Sequence, residues 1–202
     1  MMKNYVIRLE EEKDYFNVEN LTREAFWNVY RPGCFEHYVL HEFRKNKDFV
    51  KELDFVLEIN GEIVGHIMFA KNFIRTINGK TPILTFGPFS IAPSYKHKGY
   101  GTILLNYALE KAKELGANAV AITGNFDFYS KFGFVKGKDI GILYEDDNDA
   151  DYFLVKELKE NFLKNISGYY KDNDGYFVKE EDVEKFDKLF PYKKKEILDG
   201  QL

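Results

Sequence analysis

Pro93-Ser94-Tyr95-Lys96-His97-Lys98-Gly99-Tyr100-Gly101-Thr102-Ile103-Leu104 sets Lys96, His97 and Lys98 directly before two closely spaced glycines. A strand-like run, Ile83 to Ala92, leads in, and a helix-like run, Thr102 to Leu115, leads out. A basic turn at a helix start offers unpaired N–H groups and the positive end of the helix dipole, which suit a phosphate. Gly99 and Gly101 remove the Cβ atoms that would hold a phosphate away. Lys96, His97 and Lys98 add positive charge or donors. A dinucleotide fingerprint would need a third glycine where Leu104 stands, so a Rossmann site is disfavoured. A P-loop ending in Gly79-Lys80-Thr81 would need a glycine where Ile74 stands, and Asn78-Gly79 reads better as a hairpin turn. A pyrophosphate cradle and a plain helix-capping loop are left.

A second landmark lies about one helix downstream. Ala119-Val120-Ala121-Ile122-Thr123 is a short buried-strand pattern, followed by Gly124-Asn125-Phe126-Asp127-Phe128-Tyr129-Ser130-Lys131-Phe132-Gly133-Phe134. The first turn resembles motif A of the GNAT acyl-CoA N-acyltransferase superfamily, Gln/Arg-x-x-Gly-x-Gly/Ala, with Lys96 in the first place. Tyr129 to Phe134 resembles that family's Tyr-x-x-x-Gly-Phe segment. The resemblance covers about residues 5–157 and points to the bacterial-type acetyltransferase branch.

The resemblance implies an α/β GNAT fold. Its central sheet is mixed and mostly antiparallel, with a splay between strands 4 and 5, helices on both faces, and here a C-terminal appendage. It implies acetyl-CoA as cosubstrate and no metal. Lys96, His97, Lys98, Gly99, Tyr100, Gly101 and Thr102 would hold the pyrophosphate, and backbone groups of Phe89, Ser90 and Ile91 the pantetheine arm. Pro88, awkward in a central strand, is tolerable at the bulge this fold carries there. Many members have a cofactor-binding asparagine seven residues before the tyrosine. That place is Ile122 here, and Asn125, four residues before Tyr129, is the nearest carry-over.

The implied reaction is acetyl transfer to a primary amine by direct attack. An alkyl amine with a pKa near ~10.4 must first lose a proton, and a tyrosine near ~10 can protonate the departing thiolate. Tyr129 would thus be the general acid, and a strand-4 N–H near Ser90 or Ile91 would polarise the thioester. Glu24, Glu58, His66, Asp127 and a water are all admissible as base. The alternative is a GNAT-fold module that binds acyl-CoA without turnover, as a sensor or assembly part. A nucleotide-binding protein using the same cradle is a third and weaker reading.

The expected order of elements around these residues is β-α-α-β-β-β-α-β-α-β-β. Tyr5 to Leu9 reads as a strand, and Asp14 to Trp27 as a helix with Phe16, Leu21 and Ala25 spaced for it. Phe35 to Lys45 reads as a second helix, with His37 and His41 on an exposed face. Phe55 to Ile59 and Glu62 to Ala70 flank Asn60-Gly61, a strong hairpin signal. Lys136 to Tyr144 and Asp151 to Leu158 read as final strands around an acidic loop. Residues 1–158 are expected to form the acetyltransferase domain, and 159–202 an appendage packed on the core or a partner. Within it Lys159 to Ile166 could be a helix, Gly168 to Asp174 reads as polar turn, and Lys179 to Phe190 as a helix stopped by Pro191.

The whole chain sets bounds on partners. At 202 residues with a net charge of −4, it lacks the basic balance of a nucleic-acid binder. A small-molecule or peptide amine is the expected acceptor, and a homodimer is admissible. The single cysteine, Cys34, excludes an intrachain disulfide, and no apolar run approaches the ~20 residues that span a bilayer. With no signal-like N-terminus, the expectation is a soluble cytoplasmic protein without membrane contact. Asp147, Asp149 and Asp151 alternate like a calcium loop, but Tyr152 and Leu158 stand where its glycine and glutamate belong.

Overall fold

The computed structural model describes residues 4–201. Its elements are β1 (Tyr5–Leu9), α1 (Tyr15–Phe26), α2 (Glu36–Phe43), β2 (Phe55–Ile59), β3 (Glu62–Thr76), β4 (Gly79–Ile91), α3 (Tyr100–Glu114), β5 (Ala119–Thr123), α4 (Phe126–Tyr129), β6 (Val135–Lys136), β7 (Ile142–Tyr144), β8 (Phe153–Glu157), β9 (Gly168–Tyr170) and α5 (Glu180–Asp187). Hydrogen bonds order the strands β1-β2-β3-β4-β5-β8-β6, and β9 pairs with β3 and β7 off that path. β1 with β2, β2 with β3, and β5 with β8 are antiparallel. β4 with β5 is parallel, registered only at Leu84↔Val120 and Thr85↔Ala121 on a strand of 13 residues. That brief pairing is what a splay between the two strands requires.

Packing divides the chain into two units, with β3, β4 and α3 each contributing to both. One holds the chain up to Met68, then Pro88–Leu105 and the chain from Asp174. In it β2 and β3 meet at Asn60-Gly61, both at positive φ (52° and 82°), the turn Asn-Gly favours. Val18, Leu21 and Ala25 form the buried stripe of α1. Phe16 instead lies half-exposed on that helix and stacks on Phe190 at 4.9 Å. α2 packs under α5, and His37 is wholly buried there against the rings of Phe186 and Phe190. The expected exposed face is thus corrected: α5 covers it, and burial drives His37 down to about 4, so it is neutral.

The other unit holds Phe69–Gly87 and Asn106–Asn173. Its core gathers Ile74, Ile83, Ala121, Phe153, Val155 and Tyr170, among others. The strand expected over residues 136–144 is broken into β6 and β7 by a 3-10 turn at Gly137–Ile140. Residues 159–166 are turns, not a helix, and the segment expected as polar turn contains β9. β9 lies antiparallel to β3 at Ile74↔Tyr170 and parallel to β7 at Ile142↔Gly168. Among the described residues no helix is long and apolar enough to cross a membrane.

Candidate functional site

In the first unit β4 runs into a 3-10 turn at Pro93–Tyr95 and then into α3. The amide of Ala92 still donates to Val64 O at 2.9 Å, so the end of β4 is held to β3. His97 and Gly99 take positive φ (60° and 86°), which folds the backbone back on itself before the helix. Gly99 O accepts the first intrahelical bond, from Ile103 N at 3.1 Å. Gly101 and Thr102 therefore sit in the opening turn, where N–H groups have no intrahelical acceptor. Gly101 carries no side chain to screen them.

The basic residues of this turn have distinct surroundings. Lys96 Nζ donates to Ala25 O at the end of α1, 2.9 Å away, and burial lowers its pKa. Lys98 Nζ donates to Ser94 O at 2.7 Å within the turn itself. His97 is exposed. Tyr100 is buried, its ring edge-on to Tyr95 at 5.8 Å. Upstream, Ser90 is buried and its Oγ donates to Thr22 Oγ1 at 3.0 Å, while Phe89 and Ile91 are half-buried.

In the second unit Tyr129 ends the single-turn helix α4. Its ring is buried and packs edge-on against Phe86 at 5.8 Å, Phe128 at 4.9 Å and Phe134 at 5.5 Å. Gly124 makes room for it: a Cβ there would lie 2.5 Å from Tyr129 Cε2. Gly133, at φ 81°, ends the next turn in a conformation glycine favours, which returns the chain to Phe134. Asn125 is the N-cap of α4, its Oδ1 accepting from Phe128 N at 3.0 Å. Gly87, at φ 128°, supplies the irregular backbone next to Pro88.

Of the candidate bases, Glu24 pairs with Lys193 at 2.7 Å and Glu58 with Arg8 at 2.5 Å. His66 is wholly buried and bonds Asp54 Oδ1 at 2.8 Å. Asp127 is exposed on the first turn of α4. His66 belongs to a buried polar cluster that the sequence did not reveal. Glu10, Asp54 and His66 bring their ligand atoms within 4.8 Å of one another. A metal would have to share Glu10 with Arg44, whose guanidinium already grips both carboxylate oxygens at 2.6 and 3.0 Å. Burial pushes Glu10 up to about 8 and Asp54 up to about 6, and pushes His66 down to about 4. Glu10 follows β1, Asp54 precedes β2 and His66 lies within β3, so no spacing in the sequence joins them and only the fold assembles this group.

The chain matches the family model described as Acetyltransferase (GNAT) family over residues 18–134. It is 33% identical over 86 residues to an uncharacterized N-acetyltransferase of Methanocaldococcus jannaschii, MJ1207, covering 40% of this chain and 38% of that protein. It is 27% identical over 85 residues to the uncharacterized N-acetyltransferase YjhQ of Escherichia coli, covering 41% and 45%. These matches thus span about two-fifths of the length of those relatives. The fold matches the GNAT family N-acetyltransferase YhbS of Escherichia coli, solved with CoA, at a TM-score of 0.75 and 20% identity, covering 87% of this chain and 93% of that one. It also matches a GNAT family acetyltransferase of Brucella melitensis, solved with acetyl-CoA, at 0.69 and 21% identity, covering 87% and 100%.

Proposed function

This chain belongs to the GNAT acetyltransferase family, and from that premise we propose that it moves an acetyl group from acetyl-CoA to a primary amine by direct attack. The observation that carries the reading is the glycine-opened turn at the head of α3, with His97 and Gly99 at positive φ and Gly101 in the first helical turn. Such a turn aims backbone N–H groups and the helix dipole at an anion. In this reading the pyrophosphate rests on residues 96–102 and the pantetheine arm bonds the backbone of Phe89, Ser90 and Ile91. The solved relatives with bound CoA and acetyl-CoA support the choice of cosubstrate.

Tyr129 is the proposed general acid. Its dense aromatic packing fixes the ring, which is the demand on a group that must meet a departing thiolate. Asn125 is spent on capping α4, so any cofactor contact it makes is secondary to that role. Glu24, Glu58 and His66 are each held by a partner, which leaves Asp127 or a water as the base with room to act. The thiolate leaves as free CoA, and the amine proton passes to the base.

The test is acetyl-CoA with a panel of polyamines, aminoglycosides, amino acids and peptide N-termini, read by free-thiol release. At least one amine should raise release well above hydrolysis. Saturable CoA binding with no amine-dependent release would favour the binding-module reading instead.

A further inference from the structure

We propose that Lys96 is a positioning residue that locks the cradle turn to the end of α1, and that the C-terminal segment of the chain holds that end in place. The inference rests on the coenzyme A reading of the turn. The last carbonyls of a helix lack intrahelical partners and carry the negative end of its dipole. Lys96 Nζ fills one such vacancy, donating to Ala25 O at 2.9 Å. A lysine spent in this way ties the turn to a helix, whereas Lys98 only closes the turn on Ser94.

The end of α1 is in turn held from the far end of the sequence. Trp27 Nε1 donates to Lys194 O at 2.9 Å. Asn28, at φ 58°, donates from Nδ2 to Lys194 O at 3.2 Å and accepts Glu196 N on Oδ1 at 3.2 Å. Its own carbonyl accepts Gln201 Nε2 at 3.0 Å. One turn earlier Arg23, 1% exposed, grips Asp187 at 2.6 and 3.2 Å and donates to Pro191 O at 3.1 Å. A phosphate cradle works only while its N–H groups converge on one point. The strap and Lys96 act in series on that convergence.

Two residues acting in series have coupled effects, whereas a direct phosphate contact is independent of the strap. CoA is titrated calorimetrically into the full chain, Lys96→Met, Asn28→Ala and the double variant, at low and high salt, with thermal melts as controls. Each single change should raise Kd roughly two- to tenfold. The double variant should be little worse than the weaker-binding single, with the salt dependence unchanged. The amide resonances of Gly99 and Gly101 should shift in Asn28→Ala, although that residue lies in the α1–α2 turn. Additive losses, a flattened salt dependence in Lys96→Met alone, or unshifted glycine amides would overturn the brace. If Asn28→Ala does not fold, Gln201→Ala removes one strap bond and replaces it in the cycle. Failure of wild type to bind CoA would sink the coenzyme A reading itself and so is a separate result.

Discussion

Tyr129 was legible in the sequence as one member of a Tyr-x-x-x-Gly-Phe segment, but its surroundings were not. Phe86 and Phe134 reach it from β4 and from the turn before β6, which no local pattern discloses. Gly124 carries no local signal of its use, because the ring of Tyr129 that occupies the space of its side chain is placed by the fold. The basic residues of the turn were legible as charge, but their partners were not. Charge in a sequence shows what a residue can donate, not to whom, and Lys96 donates to a carbonyl of a distant helix. At this scale the prediction is that Tyr129→Phe lowers kcat with an accepted amine by roughly a hundredfold or more, because a general acid acts mainly in the transition state. The affinity for acetyl-CoA, measured by titration, should stay within about twofold. An unchanged kcat would return Tyr129 to a role in packing alone.

The elements read best from sequence are those set by local rules. β2 and β5 appear with the bounds their apolar runs suggest, and Asn60-Gly61 turns where its positive φ values allow. β3 runs on to Thr76, past the end its apolar alternation marks at Ala70. Its extension pairs with β4 and, at Ile74 and Arg75, with β9, which lies almost a hundred residues away and reads as polar turn. α5 follows its Val183/Phe186 stripe, yet what that stripe covers, α2 with His37, became visible only in three dimensions. Gly168 is the point at which β9 can approach β3, since a Cβ there would run into the carbonyl of Arg75. We expect Gly168→Ala to cost about 1–3 kcal/mol through this overlap. Urea unfolding measures it, and hydrogen exchange should quicken at Ile74 and Tyr170 before the rest of the sheet. A stability equal to wild type would show that β9 yields without consequence.

At the scale of the whole molecule, the buried cluster of Glu10, Asp54, His66 and Arg44 makes stability depend on pH. Glu10 is raised from an ordinary 4.5 to about 8, so the folded state binds more protons than the unfolded state between those values. Stability should therefore fall as pH rises through that window. Asp54 acts in the same direction between 3.8 and about 6, while His66, lowered from 6.5 to about 4, acts in the opposite one. Above pH 6.5 only Glu10 of these three still titrates, and the loss should approach at most about 1.4 kcal/mol per pH unit. Urea midpoints at pH 6.5 and 8 check this, and Glu10→Gln should flatten the difference. A wild type equally stable at both values would contradict it. None of this was readable from the chain, because the four residues are spread from the end of β1 to β3.

Binding of coenzyme A by the turn from Lys96 to Thr102 can be checked in one calorimetric titration. Acetyl-CoA is titrated into wild type and into Gly101→Val, with circular dichroism to confirm that the variant is folded. A branched side chain at the first turn of α3 should stand where the pyrophosphate must rest, so wild type should bind saturably and the variant at least tenfold more weakly. No binding by wild type, or equal affinity in a folded Gly101→Val protein, would contradict it.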